Sequence, residues 1–364
     1  VPIVSVTEIK PGARITRDVT TPLGGKLFAK GKVVLPRDME ILQAFLIQQI
    51  EVEGQEGNTK ESPAVPDAKK SAKPQHTITE ERLKRVLSPL HHEYDRMLNM
   101  VRRTFASAGS GPFPILELRG QLEALVAQLK DYHVLTFMPA MPDRREYQHH
   151  KAVLCAMTAY KLSQWIGLPQ KDWMQAAFAG LLHDIGNTRV DDSILNKPKP
   201  LSGDEAEEMR QHTKYGYQLL RSVTAINDGV KLAALQHHEK LDASGYPLRL
   251  GGSQIHIYAK IVAVADIFHA MTLERAYRKA DSPYRVLEQI QAESFGKLDP
   301  AIVRTFIQRS TELYNGTRVR LSDGRQGTII YIDRNDPTRP MVQVEGGVVN
   351  LTGERHLYIE EITG

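Results

Sequence analysis

With one cysteine in 364 residues the chain cannot form an internal disulfide, and Cys155 lies in an apolar helical stretch where inert packing is its expected role. Long apolar runs are missing as well. No stretch of about 18 such residues occurs, so no transmembrane helix is expected. The opening residues Val1 to Glu8 lack the basic region and apolar core of an export signal, which makes cytoplasm the expected compartment. Excess charge is small, +4 overall, well short of the basic stripe that binds a nucleic-acid polymer. Neither a polymer of that kind nor a membrane is expected as a partner. What the chain has is an apolar content of 41%, enough to bury a core, and a length suited to about two or three domains.

Composition divides the chain. Residues 1-54 read as a small N-terminal α/β module, with turn signals at Lys10-Pro-Gly12 and Leu23-Gly-Gly-Lys26. Pro36 there can open a helix whose face carries Ile41, Leu42, Phe45 and Leu46. Residues 55-76, with Pro63, Pro66, Pro74 and several lysines, cannot bury a core and read as a flexible linker. Residues 77-138 are expected to be helical. A capping box, Thr77 to Glu80, precedes Leu83, Leu87, Leu90, Tyr94, Leu98, Val101 and Phe105 at helical spacing, with a bend expected at Pro89. A second amphipathic stretch holds Leu122, Leu125, Val126 and Leu129. These helices could pack on the next domain or form a homodimer, and spacing does not choose. Residues 139-314 are a helical block. Residues 315-364 turn β-rich, with strands expected at Val319–Leu321, Thr328–Ile332, Met341–Val344, Val348–Leu351 and Leu357–Ile359. Asp323-Gly324 and Gly346-Gly347 supply hairpin turns, and five short strands suggest a small β-barrel. The expected fold class is therefore mainly α.

The helical block concentrates metal-binding side chains. Glu146 and His150 are four apart, one above the other on a helix, although register leaves His149 as the alternative. As an isolated pair they would more often be a solvated surface feature. His183 and Asp184 follow the apolar run Phe178 to Leu182, and burying such a pair is costly unless something compensates both. A metal ion does so, and adjacent helix positions diverge by about 100°, which suits Asp184 to bridging two ions. His212 lies ten residues after Ser202-Gly-Asp-Glu205, a capping-box start. His237-His238-Glu239 end a helix containing Val230, Leu232, Ala233 and Leu235. Asp266 is the only charge from Ile261 to Met271, with no basic residue near it in sequence, which again suggests a metal. His91-His92-Glu93 repeats one of these tripeptides without a buried carboxylate and reads as a surface face. Imidazole mixed with carboxylate suits iron, manganese or zinc, and ions so bound activate water.

The ordered set His183-Asp184, His212, His237-His238-Glu239, Gly245-Tyr246-Pro247 and Asp266 resembles the HD-GYP domain, a branch of the HD phosphohydrolases. The resemblance covers about residues 140 to 310 and takes in Lys197-Pro198, Leu298-Asp-Pro300 and Arg275-Ala-Tyr-Arg278. It implies an all-helical domain with two or three divalent ions, iron or manganese foremost and zinc as an option. The activity implied is hydrolysis of the bacterial second messenger cyclic di-GMP to linear pGpG, and in some members to GMP. Residue by residue, it implies His150, His183, Asp184, His212, His237, His238 and Asp266 as ligands, with Glu146 as the extra carboxylate of the three-metal subgroup. Tyr246, Arg275 and Arg278 would hold the nucleotide, beside Asn187 and Asp242. Asp184 and His183 would be the catalytic pair, through a hydroxide held between two ions that attacks phosphorus in line.

Three positions depart from the family pattern: Asn187 stands where lysine is usual, Ala243 where glycine is usual, and His269 where aspartate is usual. None is an expected ligand. They motivate a second reading, a catalytically weak cyclic di-GMP receptor signalling through its flanking modules. A third keeps the chemistry and changes the substrate to another nucleotide.

Overall fold

The computed structural model describes residues 3–5, 9, 12–20, 26–34, 38, 42, 47, 49–53, 88–139, 141, 143, 146–274, 279–312 and 316–363. It divides into two units, Val1–His76 and Thr77–Gly364. In the first, β5 (Gln49–Glu53) pairs antiparallel with β1 (Ile3–Ser5) on one edge and β2 (Arg14–Ile15) on the other, while β3 (Val19–Thr20) pairs with β4 (Lys26–Phe28). Ile50 and Val52 alternate inward along β5 and join Ile15, Val34 and Leu42 in a small core. Most of the expected helix after Pro36, the turn at Leu23, the linker over 55-76 and the capping box from Thr77 lie outside the described residues.

The second unit begins with α1 (Pro89–Ala106). Pro89 sits in its first turn, where a missing amide proton costs nothing, and the Ser88 side chain accepts from the His91 amide at 3.2 Å. Pro89 thus starts the helix instead of bending it. α1 and α2 (Ile115–Val126) pack on the metal-bearing block: Leu90, Tyr94, Val101, Leu118 and Leu122 share one core with α3 (Tyr147–Trp165) and α4 (Gln170–Leu182).

α3 is buried on nearly every side from His150 to Ala159, as a helix at the centre of a bundle must be. Gly180 lets α4 approach it closely, since a Cβ there would meet the Cys155 carbonyl oxygen at 2.5 Å. Then come α5 (Gly203–Arg210), α6 (His212–Leu220), α7 (Asp228–Gln236), α8 (Ile257–Thr272), α9 (Pro283–Glu293) and α10 (Pro300–Ser310). α8 is equally apolar, with Ile261 to Ala265 buried, and carries Asp266 inside. Among the described residues no helix is long and apolar enough to cross a membrane.

The C-terminal strands are β6 (Arg318–Leu321), β7 (Gln326–Tyr331), β8 (Met341–Val344), β9 (Gly347–Asn350) and β10 (Ile359–Ile362). They form an open antiparallel sheet in the order β10-β6-β7-β8-β9, so the expected barrel is not closed. The reason is where the apolar face goes. Val319, Leu321, Ile329, Val342 and Ile359 join the helical core instead of enclosing one of their own. Polar contacts fix the join: the Ser282 hydroxyl donates to the Ile359 carbonyl at 2.5 Å, and Arg339 pairs with Glu288 of α9 at 2.5 Å. Ile329→Ala should therefore cost roughly 2–4 kcal/mol and shift the urea midpoint read by tryptophan fluorescence. Both tryptophans, Trp165 and Trp173, lie in α3 and α4. An unmoved midpoint would mean that the sheet unfolds independently.

Candidate metal centre

Three histidines each close the last turn of a helix. His183 follows α4, and its Nδ1 lies 2.8 Å from the Gly180 carbonyl oxygen. His212 follows α5, whose capping box is formed between Ser202 and Glu205, and its Nδ1 lies 2.6 Å from the Met209 carbonyl. His237 follows α7, its Nδ1 shared at 3.1 Å between the carbonyls of Ala233 and Ala234. A carbonyl can only accept, and its two lone pairs let Ala233 take both the His237 amide and the His237 ring. Each Nδ1 therefore carries a proton and donates it, which points Nε2 inward. Gly186 lets the turn after Asp184 lie against α6, because a Cβ there would come 1.8 Å from the His212 carbonyl oxygen.

The inward atoms meet around Asp184. Its Oδ1 lies 3.4 Å from His212 Nε2 and 3.5 Å from His237 Nε2, and those nitrogens are 3.4 Å apart. His238 completes this group, with all four ligand atoms within 4.8 Å of one another. The separations are long for hydrogen bonds. They match the spacing of donors around one ion, since atoms about 2.1 Å from a common centre lie roughly 3.0–3.5 Å apart. The donor set therefore fits a divalent cation.

The other carboxylate oxygen serves a second cluster. Asp184 Oδ2 is 3.5 Å from His183 Nε2, which is 3.3 Å from Asp266 Oδ1. Lys151 Nζ sits between the carboxylates, 2.5 Å from Asp184 Oδ2 and 2.6 Å from Asp266 Oδ1. This corrects one expectation: Asp266 does have a basic neighbour, supplied by α3. Burial would raise the pKa of both carboxyls, yet Lys151 and then His183 hold both well below the usual carboxylate range. Burial opposes the charge on Lys151 in turn, and Asp184 and Asp266 outweigh it, holding its pKa well above the ordinary value. Burial, with Asp184 opposing it and His237 adding to it, pushes His212 down to about 4, so it is neutral at physiological pH. Cys155 groups with His183 and Asp266, but burial and then Asp266 raise its thiol pKa and keep it protonated.

The remaining expected residues are dispersed. Glu146 and His150 belong to neither group of ligand atoms among the described residues. Glu146 pairs with Arg102, and the His150 Nδ1 lies 2.8 Å from the Tyr94 hydroxyl, with Nε2 3.9 Å from Glu146. His149 instead packs edge-on to Phe105. Asn187 is buried beside Gln148 at 3.4 Å. Asp242 is exposed, its Oδ1 accepting from the Ser244 amide and hydroxyl in a local turn. Tyr246 stacks on His238 with ring centroids 4.7 Å apart. His269 faces away from the ligands, its Nε2 2.7 Å from the Thr158 hydroxyl. Arg275 and Arg278 lie outside the described residues. The roles of two residues escaped the sequence reading. Glu239 is buried and accepts from the amides of Leu248 and Leu250 at 2.7 and 2.9 Å, which anchors the loop carrying Tyr246. Lys151 had a visible signal, a charge followed by nothing but uncharged residues up to Tyr160.

A family model described as the HD domain matches residues 136–302. That stretch of the chain is similar to the HD domain. A cyclic di-GMP phosphodiesterase of Pseudomonas aeruginosa is 35% identical over 202 residues, covering 56% of this chain and 48% of that protein. A 3'3'-cGAMP-specific phosphodiesterase of Vibrio cholerae is 34% identical over 158 residues, covering 43% and 30%. A cyclic di-GMP phosphodiesterase of Thermotoga maritima is 30% identical over 227 residues, covering 61% of each chain. The chain therefore spans between 30% and 61% of the length of these relatives.

One of the three departures noted in the sequence carries a measurable cost. Ala243 holds φ at 60°, the left-handed region that glycine enters freely. Ala243→Gly should raise stability by about 0.5–1 kcal/mol in urea unfolding. A loss of stability would show that the loop gains more from alanine's restriction of the unfolded chain.

Proposed function

We propose that this chain is a metal-dependent phosphodiesterase that hydrolyses cyclic di-GMP to the linear dinucleotide pGpG. The observation that carries the reading is the convergence of His212 and His237 Nε2 on Asp184 Oδ1 while their Nδ1 protons are committed to helix carbonyls. Asp184, His212, His237 and His238 would hold the ion, and iron, manganese or zinc all suit such a set. A divalent ion there supplies Lewis acidity, lowering the pKa of water and offsetting charge on a phosphoryl oxygen. His183 orients Asp184 and Asp266 from behind. Tyr246 faces a cleft of about 350 Å³ lined also by Arg210, Lys214, Arg249 and Glu207, with Glu207 paired to Arg210 at 3.0 Å and two further cations beside the aromatic ring. That combination suits a phosphodiester next to a stacked base. The names of the Pseudomonas and Thermotoga relatives support cyclic di-GMP as the substrate, and the Vibrio relative supports cyclic GMP-AMP as the competitor.

A binding-only role is the second reading, favoured by neutral Asn187 at a position where lysine would add charge. One assay separates them. Protein purified anaerobically and loaded with Mn(II) or Fe(II) should cleave cyclic di-GMP faster than cyclic GMP-AMP. Asp184→Ala should lose at least about 10³-fold in rate together with its bound metal. Nucleotide binding without product would support the receptor, and full activity in Asp184→Ala would overturn both the metal site and the mechanism.

A further inference from the structure

The two halves of the centre have the same donor spacing but different contents. Around Asp184 Oδ1 the ligand atoms stand 3.4–3.5 Å apart; around Asp184 Oδ2 the corresponding separations, to His183 and on to Asp266, are 3.5 and 3.3 Å. In the second half the Lys151 ammonium lies against both carboxylates, at 2.5 and 2.6 Å. We infer that Lys151 is a built-in cation occupying the second metal position, so that the centre holds one divalent ion rather than two or three. This rests on the metal-binding reading above and deepens it.

Two observations carry the inference. First, the lysine cannot readily leave. It lies in the interior of α3, its side chain 9% exposed, with Ala152 to Ala159 buried after it. Two of its three ammonium protons are directed at Asp184 and Asp266, the oxygens that a second ion would need. Second, charge balance allows one ion. Asp184 and Asp266 with Lys151 and one divalent ion leave a single net positive charge in a buried site. A second ion beside the ammonium would leave three, with no further carboxylate in either group of ligand atoms to offset them.

The consequence for chemistry is specific. Positive charge on the His183 side of Asp184 is fixed in the chain and independent of metal supply. Only the His212–His237–His238 side depends on loading. One divalent ion on that side would supply the Lewis acidity, while Lys151 pairs with Asp184 and Asp266 and orients both.

The test is metal content of the full chain, reconstituted anaerobically with Mn(II) and desalted, with electron paramagnetic resonance on the same samples. The native chain should hold one Mn(II) per chain with the spectrum of an isolated ion. Lys151→His, which replaces the ammonium by an imidazole ligand, should hold two and show exchange coupling. Lys151→Met should also gain ion binding, seen as a larger Mn(II)-induced rise in melting temperature than the native chain gives. Two ions in the native chain would overturn the inference while leaving the metal reading intact. One ion in the native chain and still one in both folded variants would overturn it as well. No bound ion in any of the three would overturn the metal reading itself.

Discussion

The centre depends on a hydrogen bond made three times, from a histidine Nδ1 to a carbonyl in the last turn of the preceding helix. Carbonyls near a helix end have lone pairs to spare, and here the imidazoles donate to them. The bond does two things together. It fixes the ring plane, and it commits the Nδ1 proton, so that in a neutral ring Nε2 has only a lone pair to present. Two such nitrogens 3.4 Å apart beside a carboxylate oxygen have little to offer one another and a good deal to offer a cation. The bundle exists, in this sense, to stop α4, α5 and α7 at the right points. Gly186 and Gly180 permit the close approaches that bring those ends together.

Electrostatics then constrain what else the site can contain. Asp184 and Asp266 are buried, and a buried carboxylate without compensation costs several kcal/mol. Each is compensated through Lys151 on one side, and Asp184 has its second oxygen free for the His212 and His237 side. A single carboxylate thus divides its two oxygens between a covalently attached cation and an exchangeable one. The loop with Tyr246 closes over the exchangeable side, held by the Glu239 carboxylate rather than by packing alone.

Much of this was legible in the residues. His183-Asp184 and Asp266 announce themselves because polar groups inside apolar runs must be compensated, and local signals placed His212 on a helix and His237 at the end of one. The capping box at Ser202 and the hairpin turns at Gly324 and Gly346 were equally readable, because those signals are local. What could not be read was set by partners distant in sequence. Lys151 looked like one more charge until α3 was packed against α4 and α8. Glu146 and His150 share a helical face, and Arg102 and Tyr94 from α1 meet the Glu146 carboxylate and the His150 Nδ1. The barrel failed for the same reason: turn signals give strand order along the chain but not where the apolar face is buried, and here it is buried on α9 and its neighbours.

The most direct test is the protonation state of the histidines, read by ¹⁵N nuclear magnetic resonance on histidine-labelled, ion-free protein at about pH 8, above the usual histidine range. The account predicts that His212 and His237 carry their proton on Nδ1 and leave Nε2 bare. Either ring found with its proton on Nε2 would contradict it, because the nitrogen facing Asp184 would then be a donor with no lone pair for an ion.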